Sequence, residues 1–232
     1  LKDANSIVAD ENGSQFEIDN KKISTKLPGI FNVSNMLGCI ALSKFIGIKE
    51  EYIKKGLENI KSIRGRMEKI NMGQKYDIVV DYAHTPNSLK SVYEAYHSKE
   101  KQKERKHLIC ILGNTGGGRD KWKRPEMGKI AGQFCDEIIL TNEDPYDEDP
   151  TNIVNEMLSG IEIKSKVKVI LDRREAIKAA LERAAGLEKG NKEGAVIITG
   201  KGTDPYIMGP NGTKQRWDDA EVVKEELIKI LG

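Results

Sequence analysis

From residue 65 onward, short continuous apolar runs alternate with stretches in which apolar residues recur every three or four positions. Runs such as Ile78-Val79-Val80, residues 108–112 and Ala195-Val196-Ile197-Ile198 have strand length without polar alternation, the pattern of strands buried on both faces. The intervening stretches follow the helical period, and residues 87–97 place Leu89, Val92, Tyr93 and Tyr96 on one face. Read in order, the pattern predicts strands at 77–80, 107–112, 137–140, 167–171 and 194–199, and helices at 87–97, 125–133, 150–159, 173–185 and 218–231. Such alternation predicts an α/β, doubly wound, mostly parallel sheet with its ligands outside the carboxyl ends of the strands.

The first 64 residues read differently. Strands are predicted at 6–9 and 14–18 around Glu11-Asn12-Gly13, since Asn-Gly is a strong hairpin signal, and helices at 33–45 and 49–60 after Pro28-Gly29. This block has little core for independent stability, so it reads as the tail of a domain, with domains expected at 1–64 and 65–232. The start, Leu1-Lys2-Asp3, carries neither an initiator Met nor a signal pattern and is read as a beginning inside a longer protein.

Charge adds an exclusion. The 38 Lys and Arg nearly cancel the 36 Asp and Glu among 232 residues, so no global field argues for nucleic acid or an anionic membrane. The apolar runs fall far short of a membrane span, and a soluble, cytoplasmic protein is expected. Cys39, Cys110 and Cys135 show no metal-ligand spacing and are expected as small buried hydrophobes in a reducing compartment. The mixed charge run at 99–106 is expected to solvate a loop.

Polar motifs follow four of the strands. Asp81-Tyr82-Ala83-His84-Thr85-Pro86 crowds a carboxylate, a phenol and an imidazole at a strand end, a site pattern rather than a core pattern. The glycines of residues 113–118 allow tight turning or close approach to a ligand, but their spacing fits neither a dinucleotide fingerprint nor a P-loop. Arg119, Lys121, Lys123 and Arg124 follow as a cationic rim suited to a carboxylate or phosphate, with Pro125 in a helix first turn and Trp122 expected to pack. Acidic residues dominate 143–149, and Gly200-Lys201-Gly202 closes the last strand.

Four ordered motifs, Gly65-Arg66-Met67-Glu68, Asp81 to Pro86, Gly116 to Pro125 and Gly200-Lys201-Gly202, resemble the carboxyl-terminal part of the Mur ligases. The likeness is nearest to the type that adds the third amino acid to the peptidoglycan stem peptide. It implies a Rossmann-like, amino-acid-binding carboxyl-terminal domain at 65–232, preceded at 1–64 by the tail of the central ATPase domain. It also implies ATP and Mg²⁺ as cofactors, and as partners a UDP-MurNAc-dipeptide and a free amino acid. The implied reaction phosphorylates the γ-carboxylate of the D-glutamyl residue to an acyl phosphate, which the amine of the third amino acid would then attack.

Residue by residue, the resemblance puts Arg66 and Asp81 at the nucleotide phosphates and ribose with His84 beside them as a catalytic group, and Asn32 and Asn35 near the adenine of ATP. Arg119 aligns with the Arg that holds the carboxylate of the incoming amino acid. Gly200 and Asp204 align with the family's Gly-Lys-Gly-His-Glu loop, whose last acid accepts the amine, with Thr203 and Asp204 here in place of His and Glu. Glu143-Asp144-Pro145-Tyr146 aligns with Asp-Asn-Pro-Arg, and Tyr146 stands where the Arg grips the distal carboxylate of diaminopimelate. An acidic loop without that Arg favours lysine or another diamine over diaminopimelate. No metal ligand is assigned, and Asp172, Arg173 and Arg174 read as structural, Asp172 as a helix cap.

No G-x-x-x-x-G-K-[ST] loop occurs in these residues, so the chain alone is expected to be inactive without amino-terminal and central domains of the same protein. Three alternatives stay open. One is a related ligase of the folylpolyglutamate or cyanophycin synthetase kind, and another a non-catalytic amino-acid-binding module. The third, a nucleotide-binding oxidoreductase, is disfavoured by the absent glycine fingerprint.

Overall fold

The computed structural model describes residues 4–97, 106–118 and 120–232, so of the charge run only Lys106 is described, bonded to Asp77 Oδ2 at 2.7 Å. The described residues fall into two compact units. One reaches Ile63 and takes in Ser91 to His97, and the other comprises Arg64 to Lys90 and the chain from Lys106 onward.

In the first unit, β1 (Asn5–Ala9), β2 (Ser14–Ile18) and β3 (Lys21–Thr25) form an antiparallel meander, followed by α1 (Ile30–Phe45) and α2 (Glu50–Asn59). Strand β3 was not anticipated, because its sequence, Lys-Lys-Ile-Ser-Thr, offers a single large apolar residue. Its register is fixed by a two-residue turn at Asp19 and Asn20, whose φ values of 47° and 58° match the twist of paired strands. Phe16 and Ile23 from the sheet meet Val33, Met36 and Ile40 of α1 and Ile53 and Leu57 of α2 in one apolar cluster.

The second unit is built on a six-stranded sheet in the order β4 (Glu68–Lys69), β5 (Asp77–Asp81), β9 (Gly194–Thr199), β6 (His107–Leu112), β7 (Glu137–Leu140), β8 (Val167–Val169). Every neighbouring pair is parallel except β4 with β5, so the expected α/β fold with a mostly parallel sheet is the observed one. Successive side chains leave opposite faces of a strand. Accordingly Ile78, Val80, Ile109, Ile111, Val196 and Ile198 join the cluster made by α6 (Arg173–Lys189) and α7 (Asp219–Leu231). The alternate residues Val79, Leu108, Ile138 and Ile197 are equally buried, which is why these strands carry no polar alternation.

Helix α3 (Pro86–Tyr96) follows β5, and α4 (Lys123–Phe134) packs on α5 (Pro150–Ser159). That packing is backbone against backbone: a Cβ on Gly128 would lie 2.0 Å from the Met157 carbonyl oxygen, and one on Gly160 1.9 Å from that of Pro125. Helix α4 begins two residues before the expected position, with Pro125 inside the first turn where its missing N–H costs nothing. Helix α6 continues through Gly186 to Lys189, four residues beyond the predicted end, and β8 stops at Val169. A hairpin of β10 (Tyr206–Met208) and β11 (Lys214–Arg216) was missed, being three residues per strand with mostly exposed side chains.

Two expectations need correcting. Cys110 and Cys135 form a disulfide, since β6 and the end of α4 bring their Cα atoms to 6.1 Å, and Cys39 is exposed rather than buried. Trp122 does not pack either: it is 67 % exposed at the start of α4. Among the described residues no helix is long and apolar enough to cross a membrane.

Candidate functional site at the carboxyl edge of the sheet

Strand β5 delivers Asp81 to the sheet edge, where its buried carboxylate accepts from two backbone amides, Met67 N at 2.7 Å and Ala83 N at 2.7 Å. Burial holds this carboxyl above its ordinary range against the pull of those two amides and of nearby Arg66 and His84. Asp81 therefore acts in this structure as a brace between the 65–68 turn and the 81–84 turn. The Gly65 carbonyl accepts from Tyr82 N at 2.9 Å, adding a second link between the same turns.

The brace presents an exposed stack. The Arg66 guanidinium lies 4.9 Å over the Tyr82 ring, and the Tyr82 and His84 rings meet edge to face at 4.8 Å. His84 Nδ1 donates to the Tyr82 carbonyl at 3.0 Å, which leaves Nε2 as the outward nitrogen. Arg66 is exposed, and its field reaches the Asp81 carboxylate behind the stack. Beyond the stack, Thr85 and Ser88 cap α3 reciprocally, Thr85 N donating to Ser88 Oγ at 3.1 Å and Ser88 N to Thr85 Oγ1 at 3.3 Å.

Gly202 sets this stack beside the loop that follows β9, since a Cβ there would come within 2.8 Å of Tyr82 Cβ. In that loop Lys201 is completely buried. Its ammonium donates to both Asp144 carboxylate oxygens at 2.9 Å and pairs with Asp204 Oδ2 at 3.0 Å. Asp144 Oδ1 also accepts from Met208 N at 2.7 Å, and Tyr146 N donates to the Met208 carbonyl at 3.1 Å, so the β10–β11 hairpin is tied to the β7 loop. Lys201 was absent from the residues singled out as site candidates. A lysine flanked by two glycines at a strand end was the available signal, and Gly200 and Gly202 indeed hold φ of 110° and 51° on either side of it.

The acidic loop is not an open negative patch, which corrects the charge argument for lysine. Asp144 is bonded to Lys201, Asp147 accepts from Asn211 N at 2.7 Å, Glu148 pairs with Arg124 at 3.0 Å, and Asp149 caps α5 through Thr151 N at 2.8 Å. Glu143 is enclosed between two glycine backbones: a Cβ on Gly200 would lie 2.3 Å from its Oε2, and one on Gly113 2.8 Å from its Cβ. Its Oε2 has no hydrogen-bond partner among the described residues, and burial pushes the carboxyl up to about 7, against the opposing field of Arg173.

The glycine loop after β6 is held from below. Gly116 N donates to the Asp144 carbonyl at 2.6 Å, and Arg124, wholly buried, donates to Thr115 O at 3.0 Å and to Glu148 and Glu156. The expected cationic rim is thus reduced, because Arg124 is an internal strut and Lys123 is buried, leaving Lys121 as its exposed member among the described residues. Arg119 lies outside the described residues. Beneath the edge, Arg173 donates to Asp219 at 2.8 and 2.7 Å and to the Thr199 carbonyl at 2.9 Å, with Trp217 Nε1 also on Asp219 at 2.8 Å.

In the first unit, Asn32 is buried and donates to the Pro28 carbonyl at 2.8 Å, while the exposed Asn35 donates to Asn32 Oδ1 at 3.4 Å. The two amides share a helix face as their spacing predicts, but Asn32 serves the helix start. The second unit brings together Arg66, Asp81, His84, Glu143, Asp144, Pro145, Tyr146, Gly200 and Asp204 along one sheet edge. Asn32 and Asn35 belong to the other unit.

Residues 65–202 match the family model described as Mur ligase, glutamate ligase domain. The chain is 37% identical over 215 residues to the UDP-N-acetylmuramoyl-L-alanyl-D-glutamate--2,6-diaminopimelate ligase of Bacteroides fragilis, covering 92% of this chain and 42% of that protein. It is also 37% identical over 233 residues to the ligase of the same name from Clostridium tetani, covering 98% and 45%. A solved structure of a ligase with that name superposes with a TM-score of 0.65 at 27% identity, over 99% of this chain and 45% of the other. The chain spans less than half the length of these relatives.

Proposed function

The chain belongs to the Mur ligase family, and from that premise we propose that it forms the amino-acid-binding end of an ATP-dependent ligase joining the third residue to UDP-MurNAc-L-Ala-D-Glu. In this reading residues 65–232 are the carboxyl-terminal domain and residues 1–64 the end of the ATPase domain, in a cytoplasmic enzyme of the relatives' length. The observation that supports it best is the Asp144–Lys201–Asp204 constellation at the edge where the glycine loop and the Arg66 stack also end.

One bond is made and one broken in each half of the reaction. The D-glutamyl γ-carboxylate takes the γ-phosphoryl group of ATP, releasing ADP; the amine of the third amino acid then attacks the acyl carbon, and phosphate leaves as the amine loses its proton. Two carboxylates against one buried lysine leave Asp204, partly exposed, as the residual negative charge for the substrate ammonium. Arg66, exposed above the Tyr82 ring, suits an anionic phosphate, and Arg119 the substrate carboxylate. Among the described residues no group of three His, Cys, Asp or Glu could hold a metal ion.

The third amino acid is proposed as a diamino acid. The relatives are named for 2,6-diaminopimelate. Lysine is favoured here by Tyr146, whose phenol replaces the Arg expected to grip a distal carboxylate. Isothermal titration of the chain with L-lysine and with diaminopimelate tests this: lysine binding abolished by Asp204→Ala is expected, and diaminopimelate preference acquired by Tyr146→Arg. Equal, weak binding of both by the parent and Asp204→Ala chains would remove the amine pocket.

A further inference from the structure

Lys201 is an unusual group to find where it lies. Its ammonium is fully removed from water, which is tolerated only when charge and hydrogen bonds are supplied by the surroundings. Here two carboxylates supply both, Asp144 with two contacts at 2.9 Å and Asp204 with one at 3.0 Å. The two carboxylates come from different strands' loops, after β7 and after β9. Asp144 in addition receives Met208 N at 2.7 Å from β10, and Asp204 N donates to the Lys201 carbonyl at 2.8 Å. The ammonium therefore ties the loop after β9 to the loop after β7, and Asp144 carries that tie on to β10.

The backbone is shaped for this placement. Gly200 and Gly202 sit at positive φ, and a Cβ on either would strike Glu143 Oε2 at 2.3 Å or Tyr82 Cβ at 2.8 Å. The flanking glycines thus let the chain turn so tightly that the lysine between them enters the interior.

We propose that Lys201 is a positioning residue, whose buried ammonium holds Asp204 and, through Asp144, the β10–β11 hairpin in the geometry that receives the substrate amine. The inference rests on the amine-pocket reading for its purpose, and on the ion cluster alone for its mechanics. Without the ammonium, Asp144 and Asp204 are left as like charges with no cation between them. Their repulsion separates the loops and releases the Met208 amide.

The test uses Lys201→Met and, in a Cys39→Ala background, Lys201→Cys before and after aminoethylation, which rebuilds an ammonium one sulfur atom away from lysine. Hydrogen exchange at the Met208 and Asp204 amides is read alongside the affinity for L-lysine and diaminopimelate. Lys201→Met is expected to lose at least tenfold in both protection and affinity, and the aminoethylated Lys201→Cys chain to recover both. A merely space-filling lysine would not be rescued by restoring charge. Protection and affinity within twofold of the parent in Lys201→Met would overturn the proposal, as would aminoethylation that changes neither. If Lys201→Met does not fold, the comparison before and after aminoethylation of one preparation decides. Should the parent bind neither amino acid while Met208 protection follows the ammonium, the clamp stands and the amine-pocket reading falls.

Discussion

Replacing Glu143 by Gln should stabilise the chain at alkaline pH and leave it unchanged in acid. Glu143 is enclosed between Gly113 and Gly200, and burial pushes its carboxyl up to about 7 from an ordinary value of 4.5. A carboxyl whose folded value is raised keeps a proton that the unfolded chain has already released. Stability therefore falls as pH rises from the unfolded value through the folded one, and the whole cost is present above it. At about 1.4 kcal/mol per pH unit, the gap is worth roughly 3 kcal/mol, absent near pH 4 and nearly complete by about pH 8. Gln keeps the size and hydrogen-bonding edge without the ionisation. Urea unfolding of parent and Glu143→Gln across this range should show curves that coincide in acid and diverge by roughly 3 kcal/mol in base. Parallel curves, or a variant uniformly less stable, would show that Glu143 titrates normally and that its enclosure has no electrostatic consequence.

Other substitutions probe the frame of the site. Asp219→Asn leaves the buried Arg173 guanidinium without its countercharge and should cost about 3–5 kcal/mol in urea unfolding. Gly128→Ala forces a methyl group against the Met157 carbonyl of α5 and should lower stability by at least about 1–3 kcal/mol, read as a drop in unfolding temperature. Arg66→Ala, at an exposed side chain, should change stability by no more than about 0.5 kcal/mol while weakening ATP binding by roughly tenfold or more in titration, the loss of a charge-assisted contact to phosphate.

Much of the second unit was legible in the chain. Apolar runs such as Ile78-Val79-Val80 and Ala195-Val196-Ile197-Ile198 exclude an exposed face, and the helices between them leave few ways to build other than a parallel sheet. What escaped were elements whose residues carry weak local signals: β3, with one large apolar side chain, and the β10–β11 hairpin, which is anchored by Asp144 and Asp147 rather than by its own burial. The candidate site was legible as motifs but not as partnerships. Sequence alone places Asp144, Asp204 and Arg124 among available charges, whereas the structure gives each an internal counterion, Lys201 for the two acids and Glu148 with Glu156 for the arginine. Such pairing is long-range, 57 residues between Lys201 and Asp144, and no local pattern encodes it. The disulfide escaped for the same reason, since a crossover of 25 residues joins Cys110 to Cys135 without a recognisable spacing.

The most direct measurement is ligation itself: incorporation of labelled L-lysine or labelled diaminopimelate into UDP-MurNAc-L-Ala-D-Glu, with ATP and Mg²⁺, by the proposed enzyme of the relatives' length. An ATP-dependent UDP-MurNAc-tripeptide with lysine preferred is expected, with loss of that product in Asp204→Ala. A preference for diaminopimelate would overturn the argument from Tyr146 alone. Absence of tripeptide with either amino acid, from a folded protein that binds ATP, would contradict the assignment of this edge as a ligase's amine site.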